Sequence, residues 1–117
     1  MRRNQDLIRE MLLEMEAEDG WVFIETLDGE GDQTEERAYH RRLMSDGGLI
    51  DMSSIKHGYR MTSAGHDYLD AIRDEGLWAK TKATVAETGG NATLQIFINS
   101  ASGFLRKKIS DQTGINL

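Results

Sequence analysis

The chain has 117 residues, with 20 acidic and 14 basic side chains and a formal net charge of −6. That length favours one domain with its own core, and the acidity argues against a non-specific nucleic-acid binder, whose affinity comes from cations on phosphates. The absence of Cys excludes disulfides, thiolate metal sites and a cysteine nucleophile.

The chain contains no Pro, which suits a helix-rich fold. At the N-terminus, Leu7, Ile8, Met11, Leu12 and Met15 recur at helical spacing among Arg9, Glu10, Glu14 and Glu16. Asn4 suits an N-cap, Asp6 the first turn, and Gly20 a stop. The interleaved charges do not make the continuous apolar core of a signal peptide. No run of about 18 apolar residues is present either. The expectation is a soluble cytoplasmic protein without a membrane segment.

"WVFIETL" is aromatic and β-branched, too short for a helix, and reads as a buried strand. "DGEGDQ" is a polar, Gly-rich loop. Within it Asp28, Glu30 and Asp32 alternate as in a calcium loop. Gln33 and Tyr39 stand where that loop needs its Gly and its bidentate Glu, so a flexible acidic loop is expected.

A second helix is expected from Thr34 to about Asp46, where "DGG" stops it. At 100° per residue, Tyr39, His40, Leu43, Met44 and Gly47 share one side. Arg37, Ala38, Arg41, Arg42 and Ser45 share the other, giving a basic outer face with His40 near the core. Leu49–Met52 and Tyr59–Met61 then read as two strands of a hairpin, joined through Lys56, His57 and Gly58.

Thr62 caps a third helix with Tyr68, Leu69 and Ile72 on one stripe and Asp67, Asp70 and Arg73 outward. Gly76 interrupts. "LWAKTKATVAET" gives a fourth helix with Leu77, Trp78, Thr81 and Val85 inward, Trp78 being a core anchor. "GGN" breaks the chain and Asn91 suits the next cap. A last helix carries Leu94, Phe97, Ile98, Ala101, Phe104, Leu105 and Ile109 and ends in the basic turn Arg106, Lys107 and Lys108. Its apolar stripe suits core closure or a homodimer contact. A three-stranded sheet with five helices is an α+β fold.

Two segments carry a resemblance. Gly47, Gly48, Leu49 and Ile50 at the helix end, and Arg60, Met61, Thr62 and Gly65 at the hairpin's return, resemble the winged helix-turn-helix of bacterial regulators. That resemblance covers about residues 5–73. "NQDLIREMLLEMEAE", "AYHRRLMSDGGLI" and "GHDYLDAIRDEGLWAKTK" are similar to an uncharacterised bacterial and phage family, the domain of unknown function 2513. The resemblance implies a single domain, 1–117, with a winged-helix core at 5–73 and a helical extension at 75–110. It implies no particular activity. In one respect the chain departs from it: relatives usually carry an apolar residue after the His of the Tyr39–His40 pair, where this chain has Arg41. Arg37, one turn earlier, is also charged where relatives tend to be apolar.

Residues 33–66 hold five bases, four acids and all three histidines, whereas residues 1–32 hold ten acids and three bases. An anionic partner would therefore meet the middle third. The leading expectation is a DNA-binding or transcription-associated protein of phage or prophage type, contacting double-stranded DNA through Arg37, Arg41, Arg42, Lys56 and Arg60. The alternative is a non-enzymatic module that binds a protein through its acidic half. No nucleophile–base–orienter set or P-loop stands out, and one His with carboxylates, as at His66, Asp67 and Asp70, is not a metal set. Neither an enzyme nor a cofactor is expected.

Overall fold

The computed structural model describes residues 1–25, 34–87 and 93–115. The fold is α+β, with five helices and a small antiparallel sheet. Two compact units divide the chain, residues 1–66 and 67–117.

In the first unit, α1 spans Gln5–Ala17 and is capped by Asn4, whose side-chain oxygen accepts from the Leu7 N–H at 3.1 Å. Ile8, Met11, Leu12 and Met15 are buried, the stripe expected from their spacing. β1 is only Phe23–Ile24. It lies antiparallel to β3 (Gly58–Met61), with Phe23 opposite Tyr59 and their rings stacked at 5.4 Å. β2 (Ile50–Asp51) pairs on the other side of β3, so the strand order is β1-β3-β2. Between β1 and β2 comes α2 (Glu35–Asp46), whose cap Thr34 accepts from the Arg37 N–H.

The turn after α2 and the start of α3 (Ser63–Ile72) are stitched together. Gly48 takes the left-handed φ of +79° that reverses the chain, a conformation open to glycine without penalty. The Thr62 hydroxyl donates to the Gly48 carbonyl at 2.5 Å and accepts from the Gly65 N–H at 3.0 Å. The Thr62 N–H donates to the Leu49 carbonyl at 2.9 Å. A Cβ on Gly65 would run into that Leu49 carbonyl and the Met61 side chain, so this helix turn can approach the strand only as glycine. One Thr thus caps a helix and ties the hairpin's return to its beginning. Element order and sheet topology are consistent with a winged helix whose wing is the β2–β3 hairpin.

In the second unit, Asp74 caps α4 (Glu75–Ala86) by accepting from the Gly76 N–H at 2.7 Å. Gly76 therefore lies within the first turn rather than breaking the chain. α5 runs Leu94–Thr113, capped by Thr93. Asn91, the expected cap, lies outside the described residues. The helix passes through Arg106, Lys107 and Lys108 and stops at Gly114 in the left-handed conformation, so those bases are not its last turn. Trp78 packs on Phe97 at 5.7 Å between ring centres, and Val85 and Ala101 are buried with them.

Candidate functional site

The basic outer face expected of α2 does not form. Its buried positions are His40, Arg41 and Met44, with Arg37 half-buried one turn earlier. Carboxylates from elsewhere in the sequence meet the charges on this stripe. Arg41, only 2% exposed, donates from Nε to Glu25 Oε2 at 2.7 Å, and its guanidinium lies 5.6 Å from the centre of the Tyr59 ring. Arg37 makes a forked pair with Glu14, at 2.6 and 3.2 Å, and reaches Glu10 at 3.8 Å. Arg41 is thus corrected from an outward contact to a buried ion pair, and Arg37 to a half-buried pair with exposed carboxylates. A charge taken out of water must find a partner of opposite sign, because its desolvation cost is several kcal/mol.

Glu25 organises this network. Its N–H donates to the His57 carbonyl at 2.9 Å, which continues β1 along the hairpin. Its second carboxylate oxygen accepts from Arg42 Nη2 at 3.3 Å. Arg42 is otherwise exposed, its side chain at 64%, and reaches the Met52 sulfur at 3.6 Å, beside the hairpin. Arg60, half-buried, lies 3.6 Å from Asp51. Lys56 is exposed in the hairpin's connection. Of the five expected contact residues, Arg42, Lys56 and Arg60 lie on or beside the hairpin. Arg41 is buried, and Arg37 is half-buried in its pair with Glu14.

Asp51 shapes the wing. Its carboxylate accepts from the Ser54 hydroxyl at 2.7 Å, and from the Ser53 N–H and hydroxyl at 2.8 Å each. These bonds, the Ser54 hydroxyl first, hold its pKa well below the usual carboxylate range. His57 follows at a left-handed φ of 56°.

His40 is the satisfied core histidine that its position suggested. Its Nε2 accepts from the Asn4 N–H at 2.9 Å, so the proton sits on Nδ1, which donates to the Glu36 carbonyl at 2.8 Å. It ties the α1 cap to α2. Among the described residues, no cluster of His, Asp and Glu could hold a metal ion. Asp28, Glu30 and Asp32 lie outside them.

A second surface was not expected. "WVFIETL" reads as buried, but Trp21 is 71% and Ile24 58% exposed, with Val22 also on the surface. Among the described apolar residues of this stretch, only Phe23 turns inward, onto Tyr59. A continuous apolar run carries no period from which to tell an outward strand from an inward one. The signal available was the setting, a lone Trp behind a Gly within an acid-rich stretch. Two clefts open beside it. One, of about 190 Å³, runs from Met11 and Met15 to Phe23, Tyr59 and the Arg37 and Arg41 side chains. The other, of about 160 Å³, runs from Trp21 and Phe23 to Met61 and His66. Both share Met15, Glu18, Gly20 and Phe23.

Residues 2–91 match the family model described as "Hypothetical protein (DUF2513)", so the chain belongs to that family, the domain of unknown function 2513. The match takes in the first unit from residue 2, together with α3 and α4, and leaves α5 outside. A Haemophilus influenzae protein that carries the name "Uncharacterized protein" is 36% identical over 93 residues, covering 73% of this chain and 79% of the relative. No solved structure matches the chain significantly. Among the described residues, no helix is long and apolar enough to cross a membrane.

Proposed function

We propose that the chain is a non-enzymatic winged-helix module that binds another protein through the face carrying Trp21, Val22 and Ile24. The observation that carries this reading is the exposure of Ile24 on the edge strand β1 and of Trp21 and Val22 just before it. Apolar groups grouped on a surface cost free energy in water unless a partner covers them. The acidity of the surrounding sequence supports the same reading, because it opposes polyanions.

DNA contact is the second reading, and one observation favours it. Arg42 is exposed and reaches the start of the hairpin that carries Lys56 and Arg60. With Arg37 and Arg41 paired internally, Arg42, Lys56 and Arg60 are left for phosphates, two of them also beside the carboxylates of Glu25 and Asp51, and affinity would be correspondingly weak and salt-sensitive.

Photo-crosslinking separates the two. A benzophenone amino acid at position 21 or 24, irradiated in bacterial cells making the chain, is expected to yield a discrete protein adduct that the same group at exposed Gln95 does not give. No adduct from 21 or 24, or the same adducts from 95, would contradict the proposal. Retention of the purified chain on random duplex DNA at low salt, lost in Arg42→Ala with Arg60→Ala, would establish the second reading in its place.

A further inference from the structure

We infer that the occupant of the Trp21 face is an extended, basic segment of the partner, added along the free edge of β1. The inference rests on the protein-binding reading above and specifies its ligand.

The backbone supplies the first argument. In the order β1-β3-β2, β1 pairs with β3 on one side only, and no described strand lies on its other side. An open edge offers main-chain donors and acceptors at the spacing of another strand, and extended peptides are bound this way. Native edges are usually blunted by Lys or Pro, but β1 and its approach carry Trp21, Val22 and Ile24. Its shortness limits the addition to a few residues, so side-chain contacts must supply the rest.

Charge supplies the second argument and identifies the occupant. From Glu10 to Glu25 the chain carries six acids and no base. Glu14 and Glu25 are matched by Arg37, Arg41 and Arg42. Glu18, exposed at the end of α1, lines both clefts, and the exposed Asp19 adjoins it. A second copy of the chain would bring the same acids against this lip, and so would an anionic lipid surface or a nucleic acid. An alternating basic and apolar strand would set its cations over Glu18 and its apolar side chains against Trp21 and Ile24.

The probe is an octapeptide of alternating arginine and valine, titrated into the full chain while the two indole N–H signals are followed by NMR. The Trp21 signal is expected to shift saturably and the buried Trp78 signal to stay. Glu18→Lys, an exposed position, is expected to weaken binding about tenfold. N-methylation of alternate peptide amides, which removes edge hydrogen bonds while keeping charge, is expected to weaken it at least about tenfold. Three results would overturn the inference: equal binding of a glutamate–valine octapeptide, undiminished binding of the N-methylated peptide, or a Trp21 signal that moves only with self-association on concentrating the chain. A protein adduct from position 21 combined with no binding of the arginine–valine peptide would remove the basic strand and leave the protein-binding reading. Loss of both would remove both.

Discussion

Residues 1–66 and 67–117 hold their elements in place by different chemistry. The first unit buries Arg41 and His40, ties Arg37, Arg41 and Arg42 to Glu14 and Glu25, and ties the α1 cap residue to a histidine on α2. The second closes α4 on α5 through Trp78, Val85, Phe97 and Ala101, and its one buried polar side chain among the described residues beyond Tyr68, Thr81, bonds to the carbonyl one turn back. Apolar packing tolerates rearrangement if volume is kept, whereas a buried pair fails when either partner goes. The difference means that positive charge in the middle of the sequence does not translate into positive charge offered to a ligand.

The largest effects should come from breaking each unit in its own way. Glu25→Ala leaves Arg41 without its carboxylate and should cost about 3–5 kcal/mol. Trp78→Ala opens a cavity and should cost about as much, about 3–5 kcal/mol. Hydrogen exchange tells them apart: the first should lower protection in α2 and β3, the second in α4 and α5. Loss of protection in the same helices for both variants would erase the distinction.

A smaller effect concerns pH. Hydrogen bonds to the ionised Asp51 lower its folded-state pKa, so their contribution is full above the unfolded value near 4 and is lost progressively as pH falls below it toward the folded value. Asp74, held low first by Lys108 and then by the Gly76 N–H, behaves the same way in the second unit. Asp51→Asn should lower Tm at pH 7, and the gap to the parent should begin to close below about pH 4. A gap in Tm that stays constant down to pH 2.5 would contradict this assignment.

The smallest effect is expected at Tyr68. Its hydroxyl is buried with no hydrogen-bond partner among the described residues, and burial pushes its ionisation well above the ordinary phenol range. Tyr68→Phe removes an unsatisfied group without a cavity, so Tm should hold or rise, by an amount within about 0.5–1 kcal/mol. A clear fall in Tm would mean that the hydroxyl has a bonding partner.

The helices were legible in the sequence because their apolar residues keep a 3.6-residue period and their caps are Asn4, Thr34 and Thr62. The hairpin was legible because Gly48, Thr62 and Gly65 meet at one point and each is fixed by that junction. The fate of the arginines was not legible. A helical plot sends charge outward by rule, and the acids that reverse it lie 23 residues from Arg37 and 16 from Arg41. The hint was the resemblance, which implies apolar residues at Arg37 and Arg41; with His40 and Met44 these positions make one stripe of α2. β1 was misread because a run of apolar residues does not reveal which side is wet.

A double-mutant cycle at Arg41 and Glu25 tests most directly whether the charge of α2 is spent inside the molecule. With Arg41→Leu, Glu25→Leu and the double variant measured by denaturant unfolding, the single changes should each destabilise, the double should recover much of the loss, and the coupling should be about 2–3 kcal/mol. Coupling near zero, with Arg41→Leu as stable as the parent, would place that guanidinium in water and restore α2 as a basic outer face.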